Sequence, residues 1–457
     1  MFRNRAASPT LTVVLLALGL AAQAAAPDDV TRLKKENADL RSRVGTLESQ
    51  VQRLTAAVNQ LVAGRQPVAT TQAFSAQEVE EIKRIARSFP AKRRPIVSGI
   101  NAQLYGKVKF DAAYDTARTS VGNFARWVES EENTHNDDQF NMTANETRLG
   151  LKLSTPDAEG IRTTGVVELD LYGSNSAENK AKPMLRHAFL EMHWPESRFS
   201  ILAGQTWDVI SPLNPGTLNY SVQWWEGNIG YRRPQVRLTK ELALSSKVDL
   251  KLQGAFSRTI GHDGPFDPGD TGEDAGFPTT QGRLALSFPC FGPKPTTVGV
   301  SGHWGEEEYD TDAQNHARHF QSWSANVDLT QPVTDWLTVK AEAFVGENLD
   351  AYLGGIGQGL NTATYTEIGS AGGWVAAAIN PCKGWHFNLG ASMDNVSDSD
   401  VTAASARTAH RCFFGNIIHD INKWTSVGLE LSHRSTEYKG MSDGDSLRIQ
   451  SSFILKF

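Results

Sequence analysis

The last twelve residues, SLRIQSSFILKF, alternate between apolar and polar side chains. Leu447, Ile449, Phe453 and Leu455 share one face of a predicted strand with the terminal Phe457. The same period of two recurs in about sixteen segments after residue 99. An even number of such strands is typical of a closed antiparallel barrel, so the pattern predicts a mainly β-sheet chain.

The connections between these segments alternate in length. Short turns such as PES, KELAL and QPVTD follow every second strand, and long polar loops, for example residues 115–145 and 208–228, follow the others. A barrel in the outer membrane has short periplasmic turns and long external loops. Aromatic residues near the predicted strand ends fit the two interfacial girdles of such a barrel; they are Trp194, Trp304, Trp336, Trp385 and Phe457. The sequence therefore predicts a transmembrane barrel over residues 100–457, with membrane lipid around it.

Residues 1–26 have the pattern of a secretory signal peptide. Arg3 and Arg5 precede the apolar run LTVVLLALGL, and the small residues AAQAAA that follow suit a peptidase. The run is about half the ~20 residues that a spanning helix needs. We expect the mature chain to be exported.

Residues 27–64 change to a helical heptad pattern. Leu occupies every d position from Leu33 to Leu61, and Val fills the a positions except for Asn37. This predicts a short parallel coiled coil. Val at a with Leu at d favours dimers, whereas RVGTLE (Arg43 to Glu48) resembles a trimer-specifying pattern. Residues 65–99 read as a linker with one short helix, capped by Ser75 and ended by Pro90.

Composition excludes some other classes. The net charge of −6 gives no reason to expect nucleic acid as a partner. Three cysteines are an odd number for a disulfide framework, and neither metal-ligand spacing nor a cofactor motif occurs. We therefore expect no cofactor and no metal.

The polar face of the barrel strands can be assigned to the lumen if the apolar face contacts lipid. The predicted lining has a cationic bias in the first half of the barrel, with some carboxylates and histidines on the third and fourth strands. Its cationic members are Lys107, Lys109, Arg148, Lys152, Arg233, Arg237, Lys247, Lys251 and Arg283. Fixed cations in a lumen favour the passage of anions. Arg186 alone falls on the apolar face of its strand, which indicates a rim position or a bulge.

One long connection, DVISPLNPGTLNYSVQWWEGNIGYRRPQVRLT, differs from the others in its Pro, Asn and aromatic content. It could fold into the lumen, where Tyr220, Trp224 and Trp225 would shape a constriction, or lie outside as a lid.

LAGQTWDVISPLNP followed by GYRRPQVRLT, with a coiled coil ahead of the barrel and SSFILKF at its end, resembles the DcaP-like porins. The resemblance implies a homotrimeric sixteen-stranded channel of the bacterial outer membrane with a periplasmic coiled coil, taking up small organic acids such as dicarboxylates. It also implies that Arg232, Arg233 and Arg237 contact anions. The acidic loop GHDGPFDPGDTGEDAGF departs from what anion capture requires.

Two other functions remain open. The coiled coil could tether the outer membrane to peptidoglycan, with Lys92, Arg93 and Arg94 contacting the polymer and the barrel acting as an anchor. A barrel hydrolase is the third reading, although no G-x-S-x-G or H-E-x-x-H motif occurs and no catalytic residue is predicted. The favoured interpretation is a non-enzymatic porin for passive diffusion of small anions.

Overall fold

The computed structural model describes residues 99–173, 180–261, 270–310 and 316–457. The predicted signal peptide, coiled coil and linker helix lie outside the described residues. No helix among the described residues is long and apolar enough to cross a membrane.

One antiparallel sheet closes on itself as a barrel. It has seventeen strand segments, but two of them pair with successive parts of the first strand and together form one broken strand, which leaves sixteen. The sixteen strands are β1 (Asn101–Asp115), β2 (Gln139–Thr143 and Arg148–Ser154), β3 (Arg162–Asp170), β4 (Met184–Trp194), β5 (Phe199–Trp207), β6 (Arg232–Ser245), β7 (Val248–Ser257), β8 (Thr279–Phe288), β9 (Thr296–Tyr309), β10 (Arg318–Pro332), β11 (Leu337–Glu347), β12 (Gly369–Cys382), β13 (Trp385–Val396), β14 (Arg407–Asp420), β15 (Thr425–Tyr438) and β16 (Gly444–Lys456). This confirms the predicted fold class for the barrel.

The last strand closes the barrel against the first. β16 pairs with β1 in the register that places Phe110 opposite Phe453, and Gly106 and Phe457 exchange backbone hydrogen bonds of 3.0 and 3.1 Å. The terminal alternation is therefore the closing seam.

The two faces of the wall follow the alternation. On β1, Leu104 and Val108 are 67% and 49% exposed on the outside, whereas Lys109 and Asp111 are buried inside. Trp304, Trp336, Trp385 and Phe457 are exposed on the outer surface.

Short turns and long loops alternate as predicted, with one correction. KELAL is not a turn, because β6 continues to Ser245 and turns only at residues 246–247, keeping Leu242 and Leu244 on the outer face. Lys247 therefore lies in that turn rather than on the lumen wall. The long loops carry a one-turn helix, α1 (Glu131–Thr134), and two 3-10 turns (Asp350–Tyr352 and Gly355–Gly357). They also carry a small hairpin whose strands have two residues each, Leu360–Asn361 and Thr366–Glu367. Cys290, Cys382 and Cys412 are all free thiols.

Candidate functional site

The connection between β5 and β6, residues 208–231, lies inside the barrel. We call it the luminal loop. The Leu213 amide donates to Glu342 Oε1 on β11 at 2.8 Å, and the Leu218 amide donates to Glu430 Oε2 on β15 at 2.6 Å. The side-chain Nδ2 of Asn416 on β14 donates to the Gly216 carbonyl at 2.7 Å. Since the loop starts at β5 and contacts β11, β14 and β15, which are at least six strands away around the wall in either direction, it crosses the lumen, and the lid interpretation is wrong.

Glycine permits the closest approach of the luminal loop to the wall. Gly227 has φ +116°, and a Cβ atom there would lie 2.4 Å from the Gly373 carbonyl oxygen and 2.6 Å from that of Met393. Backbone therefore packs on backbone, which no larger residue allows.

A buried ion pair fastens the same end of the loop. Glu226 Oε1 accepts from Arg434 Nε at 2.6 Å, and His410 Nε2 lies 3.6 Å from that oxygen. Both members of the pair are almost wholly buried. Burial alone would raise the pKa of Glu226, but the charge of Arg434 and the contact with His410 hold it below its ordinary value.

Carboxylates of the far wall are occupied by the loop. Glu342 accepts from the Leu213 amide and from Trp374 Nε1 at 3.0 Å. Glu430 accepts from the amides of Leu218 and Asn219 and from Asn416 Nδ2. These acidic groups therefore act as acceptors for the loop backbone.

Most cations predicted for the lumen are paired with a carboxylate. Lys107 and Lys109 both contact Glu146, which lies in the break within β2. Arg283 makes a two-bond contact with Asp328 at 2.7 and 2.9 Å.

Three further predicted cations are paired less closely or lie at more exposed positions. Arg148 lies 3.4 Å from Glu168, and Lys251 lies 2.9 Å from Glu241 at a partly exposed position. Lys152 is exposed at its position on β2.

The three arginines singled out by the family resemblance have different environments. Arg233 is fully buried between Asp208, 3.0 Å from its Nε, and the ring of Tyr352. Arg237 donates to Gln235 and to the Trp207 carbonyl. Of these, only Arg233 pairs with a carboxylate within the described part of the chain.

Arg232 lies in a cage of aromatic rings. Its guanidinium carbon is 4.7 Å from the Trp207 ring centre, 5.6 Å from Trp224 and 4.5 Å from Tyr231. The residue is 2% exposed, and neither Nη1 nor Nη2 has a hydrogen-bond partner among the described residues. A buried guanidinium without a counter-ion is costly, so this cage suits an anion.

Arg186 joins the same region through a β-bulge. The pairing of β3 with β4 skips it, since Glu168 pairs with His187 and Leu169 with Leu185. The bulge turns Arg186 inward, where it binds Glu168 at 2.8 Å and Asp170 at 2.7 Å. Its anomalous position in the sequence pattern was the signal, although the sequence did not identify its partners.

Two of the three aromatic residues predicted for the constriction, Tyr220 and Trp224, lie beside these cations. Tyr220 stacks on Tyr172 at 3.9 Å and donates to Asp170 at 3.3 Å. Burial, followed by the charge of Asp170, raises the pKa of Tyr220. Trp224 is buried 5.8 Å from Trp207.

Trp225 lies on the other side of the loop, and its ring stacks with Phe124 at 6.2 Å. The luminal loop therefore presents aromatic rings to the arginines of β4 and β6 on one side and to the external loop after β1 on the other.

One buried histidine has no acid partner among the residues that the structure describes. His303 contacts Ser324 Oγ at 2.7 Å and Ser322 Oγ at 3.0 Å through its two ring nitrogens. Both nitrogens are thus occupied by hydroxyl groups, which is not the arrangement of a Ser–His–acid triad.

Solved structures share this fold. The outer-membrane channel DcaP of Acinetobacter baumannii aligns with a TM-score of 0.65 and 19% identity over 80% of this chain and 99% of its own. OmpF of Salmonella typhi, solved in complex with daunomycin, gives 0.54 and 12% over 79% and 98%. The trimer form of OmpT, an outer-membrane protein of Vibrio cholerae, gives 0.50 and 8% over 79% and 100%. The resemblance to DcaP-like porins is confirmed at the level of the fold.

No family model matches the chain, and a search of the curated proteins finds no relative.

Proposed function

We propose that the protein is a porin of the bacterial outer membrane through which small anions, such as dicarboxylates and other organic acids, diffuse passively. The observation that carries the proposal is the electrostatic imbalance beside the luminal loop. Arg232 and Arg237 have no carboxylate partner among the described residues, while Glu342 and Glu430 are occupied by loop amides. A partly dehydrated anion is attracted to such uncompensated guanidinium groups.

The proposal includes the rest of the chain as predicted. Residues 1–26 direct export, residues 27–64 form a periplasmic coiled coil, residues 65–99 link it to the barrel, and three chains assemble. The trimer form of the Vibrio cholerae protein supports this assembly by analogy of fold. Tyr220, Trp224 and Trp225 shape the constriction, and Arg232 and Arg237 contact the solute.

The test is the reversal potential of the purified full-length protein in a planar bilayer under a KCl gradient. We expect anion selectivity and conductance steps in groups of three. Arg232→Gln combined with Arg237→Gln should lower the chloride-to-potassium permeability ratio several-fold, because two uncompensated charges are lost.

The matched control neutralises a compensated pair. Arg283→Gln with Asp328→Asn removes one charge of each sign from the same wall, so the permeability ratio should stay close to that of the wild type. Cation selectivity of the wild-type protein would overturn the anion proposal, and absence of conductance would favour the tether or the hydrolase.

A further inference from the structure

Two arginines from separate external segments share one tryptophan at the long-loop end of the barrel. The guanidinium carbon of Arg126, in the loop after β1, lies 4.2 Å from the ring centre of Trp127. That of Arg407, at the start of β14, lies 4.0 Å from the same ring. Arg126 also lies 5.0 Å from the ring of Trp225 in the luminal loop. We call Arg126, Trp127 and Arg407 the outer clamp.

Neither arginine of the outer clamp forms an ion pair within the described residues. Arg126 Nε donates to Ser120 Oγ at 3.1 Å, and Arg407 Nε donates to the Ile356 carbonyl at 2.9 Å. Burial, followed by the charge of Arg407, lowers the pKa of Arg126 to about 10. Their hydrogen-bond acceptors are neutral, and the carboxylate of Glu129 acts on both groups without forming an ion pair with either among the described residues. Two like charges therefore share one more distant counter-charge, an arrangement that a further anion would stabilise.

A cavity of about 560 Å³ lies beside the clamp, and Arg407 is part of its wall. The other walls are the external segments 357–363 and 401–406, with Glu307 and Asp350 also in the lining. Sites for small molecules commonly have volumes of about 300–1,000 Å³. The carboxylates repel an anionic group, so the anionic end of a ligand would lie at Arg407 and its neutral body in the rest of the cavity.

We propose that the outer clamp is a docking site for a small oxyanion, a carboxylate or phosphate on a compact body, separate from the arginines around the luminal loop. Fixed charge at a channel mouth raises the local concentration of an oppositely charged solute and its rate of entry. Because Trp225 stacks on Arg126, a docked solute lies next to the luminal loop. The role in entry rests on the proposed anion channel, whereas binding at the clamp does not.

Binding is tested by crystals of the full-length protein soaked in selenate, whose selenium is located by anomalous scattering. We expect a peak within hydrogen-bond distance of a guanidinium group of the outer clamp. The peak should disappear in Arg126→Gln/Arg407→Gln and persist in Arg258→Gln, which alters an external arginine already paired with Glu273. A wild-type protein without the peak overturns the proposal, whatever the selectivity of the channel.

The docking role is tested by succinate added to one side of a single channel at a time. Two arginine charges, each at ~6 Å in water from one carboxylate charge, together raise the encounter rate about tenfold, so interruptions caused by succinate on the long-loop side should become about tenfold rarer in the double variant. Interruptions from the opposite side should keep their frequency. An equal loss from both sides, or no loss from either, contradicts an outer docking site. The single variants Arg126→Lys and Arg407→Lys, which keep the charge, show whether a loss comes from charge or from altered folding.

Discussion

The buried pair of Glu226 and Arg434 offers the sharpest test of how the luminal loop is held. Glu226→Gln leaves the guanidinium of Arg434 inside the barrel without its carboxylate. Removing one partner of a buried ion pair costs about 3–5 kcal/mol. We expect the lower end of that range, since Arg434 Nη1 still donates to Ser432 Oγ at 2.6 Å. The double variant Glu226→Gln/Arg434→Met removes the stranded charge and should recover most of the loss, because an apolar chain of similar length then fills the space.

The free energy of unfolding is measured by urea titration of the detergent-solubilised protein, followed by tryptophan fluorescence. The matched control is Glu437→Gln, which breaks a pair with Arg411 that joins β15, the strand of Arg434, to β14 at a position about 40% exposed. An exposed pair contributes about 0–1 kcal/mol, so this variant should unfold almost as the wild type does.

The same variants have a functional readout. Once the ion pair is broken, the end of the loop near Gly227 loses its charged anchor to β15, and the open-channel current should become noisier. The reasoning is refuted if Glu226→Gln costs less than about 1 kcal/mol, or if the double variant is less stable than the single variant.

Three other outcomes follow from the geometry of the loop and its charges. Gly227→Ala should destabilise the barrel by about 1–3 kcal/mol and change its conductance, because the new methyl group would overlap the Gly373 carbonyl, whereas Gly254→Ala, where nothing lies within 4 Å, should do neither. The lowered pKa of Glu226 means that its anchoring contribution is complete above its ordinary pKa of about 4.3 and is lost as the pH falls through the lower folded value. Current noise should therefore rise only in acid, below about pH 4. Noise that does not change with pH in Glu226→Gln would identify the Glu226 carboxyl as the titrating group, whereas a rise that begins near neutral pH would contradict this. Anion preference should weaken between 0.1 and 1 M salt, where the Debye length falls from about 10 to 3 Å, and a permeability ratio independent of salt would argue against fixed charge as its cause.

The sequence predicted the barrel because each strand by itself alternates between positions that face lipid and positions that face the aqueous lumen. Lipid requires apolar groups at alternate positions, and strands such as β1 and β16 meet that requirement without help from distant residues. The alternating loop lengths carry the same information about the two ends. KELAL resembles a turn in the sequence because it begins with two charged residues, Lys240 and Glu241, although both lie within β6 and Glu241 faces Lys251 across the pair of strands.

The candidate site was predictable only in part, because it depends on contacts between distant residues. A cation stays uncompensated only where no distant carboxylate pairs with it. Lys109, for example, is compensated by Glu146, which lies in the break between the two segments of β2. The outer clamp joins residues 281 positions apart, 126 and 407, and no local pattern relates them. The anomaly at Arg186 was visible in the sequence, since a bulge shifts the alternation by one position.

The proposed preference of the lumen for anions rests on how backbone groups are distributed as well as on the number of charged side chains. The chain has a net charge of −6, which by itself would argue for cations. Inside the barrel, however, the luminal loop crosses towards the wall that carries Glu342 and Glu430 and directs its amide groups at both carboxylates. Each such bond places the positive end of a peptide dipole against a carboxylate and reduces the negative field that the carboxylate contributes in the lumen. Arg232, at the opposite end of the same loop, has aromatic rings around it in place of a counter-ion, so its charge is less compensated. One loop thus weakens the negative potential on one side of the lumen and supports a positive potential on the other.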